Sequence, residues 1–375
     1  MYRKKRIAIV TWFGGSNYGT SLQAFALNFI IQKLGADSYL LQKPLTWRNV
    51  ARLMLITLNT NKRTDILKGF HPAKKRKIAK FRKQNFNQLP QRIGFIGKKL
   101  FQKDISTISG VIAGSDQIWN PYYTEPFLLL QNVNSKKFSY ASSVGVMEIP
   151  EAKKPFYEET LKQFMAISSR EESSIPVLEA LSGKSVKKVS DPTFLLTTEE
   201  WEKFAADNSL VNFDVKTPYI LSYFVAGNPD YWEKTYALQE LSGIKRLVVL
   251  PMDASHFNVK GEIVENAGIN DFIYLIKNAT LVCTDSFHAT AISINLKRDF
   301  VTLLRFEKIV KSSQNSRSQN SRLEDLLAHY CLLDRLYDGF YINNPSPINY
   351  SDVDKLLNED RLSSMDYLNM ILRMC

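Results

Sequence analysis

Ile7–Trp12 is a short apolar run that predicts a buried strand, and the glycine-rich stretch Phe13–Gly19 that follows predicts a turn. From Thr20 to Leu34 the period changes. Leu22, Phe25, Ala26, Phe29, Ile30 and Leu34 fall at the spacing of one helical face, and Gly35 ends the pattern. Ser38–Gln42 then returns as a strand, giving the strand–turn–helix–strand opening of a Rossmann-like half. Further strands are predicted at Ile108–Ala113, Lys137–Ser142, Phe164–Ser168 and Val186–Val189, each followed by a polar loop. The pattern restarts at Tyr219–Phe224. It continues through Leu247–Leu250, a helix at Asp271–Asn278, a strand at Thr280–Thr284, a helix at Ser286–Leu296 and a strand at Phe300–Leu304. Ser351 to the end predicts a last amphipathic helix.

This alternation describes an α/β protein with parallel sheets. A chain of 375 residues exceeds one ordinary core, so two domains of roughly 150–200 residues are expected. The pattern divides as an N-terminal Rossmann-like domain over residues 1–195, a C-terminal one over 196–345, and the terminal helix over 346–375. Residues 45–90 interrupt the first domain with an apolar piece, Val50–Leu58, and a basic run, Lys74–Lys83. Lys311–Ser321 is polar and repeats Gln-Asn-Ser-Arg, at Gln314–Arg317 and Gln319–Arg322, which predicts a mobile loop. Ser321 and Glu324 then predict a helix start.

Composition is that of a globular protein, with 45% hydrophobic and 23% charged residues, and excludes chain-wide disorder. The net charge of +12 suits nucleic acid, an anionic membrane surface or phosphorylated substrates. Part of the excess is concentrated in Lys74–Lys83, either an ordinary solvated helix face or a contact to an anionic membrane surface, with Val50–Leu58 lying in the interface. No RRM, KH or OB signature accompanies the charge, so no nucleic-acid partner is expected. The three cysteines, Cys283, Cys331 and Cys375, are far apart and lack CxxC spacing, which argues against a zinc site or a disulfide framework and for a reducing compartment. The N-terminal apolar run is too short for a signal peptide, and no stretch approaches the ~20 apolar residues of a membrane span. The expected location is cytoplasmic, peripheral on the inner face of the membrane. The pattern sets no oligomeric state.

Candidate chemistry gathers where strands end. The strand Leu281–Thr284 runs into Asp285 and Ser286, both good helix N-caps, and His288 lies in the first turn of the helix they start. Free N–H groups and the positive dipole end favour a phosphate or carboxylate there, and His288 is placed to bind an anion or act as a general acid. A capped helix with a packed histidine is the plain alternative. Arg170 follows the strand Phe164–Ser168, at the strand end where open α/β sheets bind ligands, and suits a bidentate contact to an anion or a salt bridge with Glu171 or Glu172. Arg305 and Lys308 follow Phe300–Leu304 and face the same crevice, while Arg322 starts a helix beyond the polar loop. Gly14 to Gly19 lacks GxGxxG spacing, but its glycines admit a ligand close to the backbone. Gly114–Asn120 pairs polar groups with Trp119, which suits a sugar, though Trp119 fits a core equally well.

Taken together, Thr11-Trp12, Asn17-Tyr18-Gly19-Thr20-Ser21-Leu22-Gln23, Gly114-Ser115-Asp116-Gln117-Ile118-Trp119-Asn120, Ser169-Arg170-Glu171, Asp191-Pro192-Thr193, Thr284-Asp285-Ser286-Phe287-His288-Ala289-Thr290 and Asn320-Ser321-Arg322 resemble the polysaccharide pyruvyl transferase family in order and spacing, over about residues 5–335. The resemblance implies a GT-B-like pair of Rossmann-like domains whose parallel sheets face a cleft. It implies phosphoenolpyruvate as donor with no further cofactor or metal. The acceptor would be a saccharide of a surface polysaccharide, free or lipid-linked, and the product a cyclic pyruvyl ketal. His288 and Arg170 match donor-site positions and are the expected catalytic residues, with Asp285, Ser286, Arg305, Lys308, Asn320 and Arg322 on the donor side. Gly14, Asn17, Tyr18, Ser115, Asp116, Gln117 and Trp119 are expected on the acceptor side, with Asp116 orienting a hydroxyl. Some members carry Arg-Leu-His where this chain has Ser286-Phe287-His288, so the missing donor charge falls to Arg305, Lys308 or Arg322. The competing functions are a GT-B glycosyltransferase using a nucleotide sugar and a non-catalytic membrane-docking relative.

Overall fold

A computed structural model describes residues 4–58, 71–210, 212–305, 314–337 and 346–375. The first half opens with β1 (Arg6–Val10), α1 (Tyr18–Lys33) and β2 (Asp37–Leu40). It continues with α2 (Trp47–Leu58), α3 (Pro72–Asn85), α4 (Gly94–Ile105), β3 (Gly110–Ala113), β4 (Lys137–Ser139), α5 (Lys154–Leu161), β5 (Ile167–Ser169), α6 (Ile175–Ser182) and β6 (Val186–Lys188). The second half holds α7 (Thr198–Ala206), β7 (Tyr219–Tyr223), α8 (Asp230–Ser242), β8 (Arg246–Val249), β9 (Glu262–Ile263), α9 (Ile269–Asn278), β10 (Leu281–Thr284), α10 (Phe287–Asn295), β11 (Phe300–Leu303), α11 (Gln314–His329) and β12 (Leu336–Tyr337). The chain closes with α12 (Tyr350–Met374).

Both halves are parallel sheets. The first runs β2-β1-β3-β4, and a bridge from Phe138 to Ala166 carries it on to the β5-β6 pair. The second runs β12-β11-β10-β7-β8-β9. Central strands β3, β7 and β10 are buried at every residue, as expected where helices cover both faces. In each sheet the strand order reverses once, between β1 and β3 and between β7 and β10. Such reversals open a crevice at the carboxyl ends of the strands, where α/β proteins bind ligands.

The two halves share an apolar core. α1 and α10 pack against each other, and all nine residues of α10 are buried. Tyr18 stacks on Phe272 at 4.6 Å and donates its hydroxyl to the Ala267 carbonyl. Tyr18 is thus a core residue at the junction of the halves, contrary to its expected place in an acceptor site. α12 begins against the second half, where Tyr350 donates to the Arg298 carbonyl and Lys297 pairs with Asp354. It ends on the first half, where Tyr367 donates to the Ser139 carbonyl and Lys5 to that of Leu372.

The basic run is α3, and its apolar positions Ile78 and Phe81 are buried. The Lys74 ammonium sits 4.4 Å over the Tyr18 ring and bonds the Pro251 carbonyl, and burial pushes its pKa down to about 7. Lys77 pairs with Asp271 of α9. Part of the basic run thus joins the halves instead of facing outward. The polar repeat also departs from expectation. Residues 314–321 are helical and continuous with the rest of α11, so Ser321 lies inside a helix and not at its start. Residues 311–313 and Lys308 lie outside the described residues. Among the described residues no helix is long and apolar enough to cross a membrane.

Candidate active site

The two strand-order reversals face each other through the N-termini of α1 and α10. Asn17 caps α1 by accepting from Thr20 N, and Ser286 caps α10 by accepting from Ala289 N at 3.4 Å. At this meeting point Gly19 lies against His288, and a Cβ on Gly19 would stand 2.5 Å from Nδ1. Position 19 has no room for a side chain while the imidazole stays in place. Gly19→Ala is therefore expected to displace His288 and to destabilise the fold by about 1–3 kcal/mol, the cost of overpacking. Parallel measurements of turnover and chemical denaturation check this.

Around His288 stands a buried network drawn from four strand ends. Arg170, after β5, directs Nη1 to Asp191 Oδ2 at 2.6 Å and Nε to Glu171 Oε1 at 2.8 Å. Ser115, after β3, donates to the same Asp191 oxygen at 2.8 Å. His288 Nε2 stands 3.7 Å from that oxygen, beyond hydrogen-bond reach. The Arg170 guanidinium also lies 4.2 Å over the Phe287 ring. Burial would raise the Asp191 carboxyl, but His288, Arg170, the Thr193 N–H and the Ser115 hydroxyl together hold it below the ordinary range. Burial also lowers the His288 pKa, with Asp191 and Asp116 offsetting part of the effect.

Two polar atoms in this network have no hydrogen-bond partner among the described residues, Arg170 Nη2 and His288 Nε2. Asp116 Oδ1 is 4.0 Å from Nη2, while Asp116 Oδ2 accepts from Thr20. Asp116 has φ 75°, a left-handed backbone that Asp tolerates better than most residues. From the second half, Arg322 reaches the Gln117 side-chain oxygen with Nε at 2.8 Å and Nη2 at 3.0 Å, in the amide orientation that satisfies both residues. Arg322 has no ion pair to a carboxylate among the described residues. Desolvation and the neighbouring Arg170 charge push its pKa down to about 10. Two neighbouring guanidiniums, one with a side-chain nitrogen outside hydrogen-bond reach of any partner, thus stand beside an imidazole, a donor set of the kind that binds anions.

Of the other expected donor residues, Asp285 and Arg305 are engaged with each other. Asp285 accepts from Val225 N and Ala226 N and from Arg305, so it fastens the β7 loop to β10. The Arg305 charge is already matched by Asp285. Asn320 is buried one turn before Leu323 in α11. On the acceptor side Ser115, Asp116 and Gln117 join the network. Trp119 is fully buried, donates to the Leu128 carbonyl and meets Phe164 edge-on, so it is core and not a sugar platform.

Gly14 instead opens onto a separate cleft of about 800 Å³, a volume typical of ligand pockets. Trp12, Phe13, Gln42, Lys43, Arg82 and Gln91 are among its lining residues. The hydrophobic pattern gave no hint of this cleft beyond Gly14. Gln42 and Lys43 follow β2, and the strand-end rule that singled out Arg170 applies equally to them. Asp191 and Phe287 also lay in recognisable motifs without an assigned role.

The sequence model of polysaccharide pyruvyl transferase matches residues 17–305, a stretch that holds the whole network except Arg322. The chain belongs to the polysaccharide pyruvyl transferase family. No curated protein sequence matches it. Among solved structures, it is similar to a protein described as a UDP-N-acetylglucosamine 2-epimerase from Listeria monocytogenes, at 10% identity and TM-score 0.51, over 98% of this chain and 96% of that one. It is also similar to the S. aureus MnaA–UDP co-structure, at 12% identity and TM-score 0.51, over 97% and 90%. At these identities the likeness is one of fold, and the fold of this pyruvyl transferase family member is GT-B-like.

Proposed function

We propose that this transferase moves the pyruvyl group of phosphoenolpyruvate onto two hydroxyls of a saccharide, forming a cyclic ketal and releasing phosphate. The observation that carries the reading is the adjacency of Arg170 and Arg322 beside His288, with Arg170 Nη2 and His288 Nε2 unpartnered. Phosphoenolpyruvate carries a phosphate and a carboxylate, and two neighbouring guanidiniums meet that charge with directional hydrogen bonds. Arg322 takes the place of the Arg that some relatives carry at position 286. Arg305 is held by Asp285, whereas Arg322 faces a neutral amide.

In this scheme protonated His288 delivers a proton to the methylene carbon, leaving C2 electrophilic. One sugar hydroxyl adds to C2, the C2–O bond to phosphate breaks, and the second hydroxyl closes the ketal. Of the two protons the hydroxyls give up, one replaces the proton that His288 supplied and the other leaves with phosphate. Asp116, beside Arg170 Nη2, orients an acceptor hydroxyl.

Mass spectrometry of candidate oligosaccharides incubated with phosphoenolpyruvate tests the reaction, the expected product being pyruvate added with loss of water. Arg322→Gln is expected to raise KM for phosphoenolpyruvate about 10- to 100-fold, through loss of a charge-assisted contact of ~1.5–3 kcal/mol. Thermal stabilisation by a nucleotide sugar and not by phosphoenolpyruvate would replace this reading with glycosyl transfer.

A further inference from the structure

α2 and α4 carry an apolar surface that nothing in the described structure covers. In α2, Trp47, Ala51, Met54 and Leu55 recur at the i, i+4, i+7, i+8 spacing of one helical face, and all four are exposed. A surface helix ordinarily turns such a stripe toward the core. α4 has apolar residues on two sides. Gly94, Gly97, Phe101 and Ile105 are buried, while Phe95 and Ile96 point outward. The two helix starts abut. Leu45 N donates to the Arg92 carbonyl and Gly94 N to the Leu45 carbonyl, both at 2.8 Å, and Trp47 Nε1 lies 2.5 Å from where a Cβ on Gly94 would stand. Trp47, Met54, Leu55, Phe95 and Ile96 are each 60–73% exposed. Single exposed apolar side chains are ordinary, whereas a cluster on adjoining helices marks an interaction surface.

The charge around this cluster decides its partner. Arg48 and Arg52 on α2 and Lys98, Lys99 and Lys103 on α4 are exposed. The acid in these two helices, Asp104, is held by Arg92 at 2.8 and 2.9 Å. Apolar and aromatic side chains ringed by cations match a bilayer carrying anionic lipid, where the rings enter the interface and the cations meet the headgroups. We propose that the α2–α4 face, and not the basic run of α3, docks this protein onto an anionic membrane surface.

The placement also orients the large cleft. Its lining residues Gln42, Lys43, Gln88 and Gln91 lie on two chain segments that pair at Leu40–Gln88 and Leu45–Ile93 and lead straight into α2 and α4. A bilayer seated on this face lies beside the cleft mouth, so a lipid-borne saccharide that enters the cleft would reach it without leaving the membrane. That consequence rests on the pyruvyl-transfer reading, while the docking itself does not.

Cosedimentation of the full chain with vesicles tests the proposal. Vesicles of mixed phosphatidylglycerol and phosphatidylcholine are expected to bind the protein at about 0.1 M salt, with binding falling at high salt and on pure phosphatidylcholine. The double substitution Phe95→Ser, Ile96→Ser is expected to cut partitioning about ten- to hundredfold. Arg48→Glu with Arg52→Glu is expected to remove the preference for anionic lipid. Trp47 emission is expected to shift to the blue on binding, and the shift is lost in Trp47→Phe. Phosphate release with a soluble acceptor is expected to be unchanged in the Phe95→Ser, Ile96→Ser protein, so failure of docking and failure of the proposed reaction are read separately. Equal binding to neutral and anionic vesicles, or binding that ignores the serine substitutions, would overturn the proposal. So would light scattering that shows a dimer which those substitutions dissolve, since the face would then be a contact between copies.

Discussion

His288→Asn is expected to slow phosphate release from phosphoenolpyruvate about 10²- to 10⁴-fold, the range for loss of a positioned general acid. Asparagine keeps a polar group near the α1 terminus and is smaller than the imidazole that packs on Gly19, so folding is expected to survive. The pH profile carries a sharper signature. Burial sets the imidazole pKa below its ordinary value in the free enzyme, so the acid form is present below that lowered pKa and is lost as pH rises through it. kcat/KM is therefore expected to be highest on the acid side and to fall about tenfold per pH unit above the transition. The asparagine protein is expected to lack this limb. The same limb in both proteins would assign the proton to another group.

The second large effect is on stability. Arg170→Met leaves Asp191 and Glu171 buried without their cation, and breaking a buried ion network from one side costs about 3–5 kcal/mol. Chemical denaturation is expected to show this loss together with loss of turnover. Adding Asp191→Asn is expected to recover part of the stability and none of the turnover. Arg170→Lys keeps the charge but not the fork that reaches Asp191, Glu171 and the ring of Phe287 at once, so it is expected to fall between the two. A donor role alone, without the internal one, would leave stability unchanged in every variant.

Arg170 also shows what a sequence can and cannot disclose. Its position at a strand end was legible, because strand periodicity and the loop after it are local. Its partners Asp191 and Ser115 were not, since a guanidinium after a strand looks the same whether it meets a ligand or a carboxylate brought in by the fold. Tyr18 and Trp119 illustrate the same limit. An aromatic beside polar residues suits a sugar or a core, and the deciding neighbours, Phe272 and Phe164, come from elsewhere in the chain. The polar repeat before Arg322 looked like a loop because its residues favour turns, but Leu323 and Leu327 are buried further along the same helix and carry it. In α3 the charge run drew attention away from Ile78 and Phe81, which fix its inner face. The alternation of strands and helices was readable because it rests on periodicity, whereas the strand order and its two reversals emerge only from the pairing in the fold.

The last helix bears on how the two halves can move. α12 is 25 residues of continuous helix, about 37 Å of stiff rod. One end is pinned beside Lys297 and Arg298, the other beside Lys5 and Ser139. A rod fastened to both bodies resists the swinging apart that a single linker permits, because opening like a jaw would bend it or tear one end free. Sliding of α1 along α10 leaves its length unchanged. Any relative motion of the halves is therefore expected as shear between packed helices, read first at the Gly19–His288 contact.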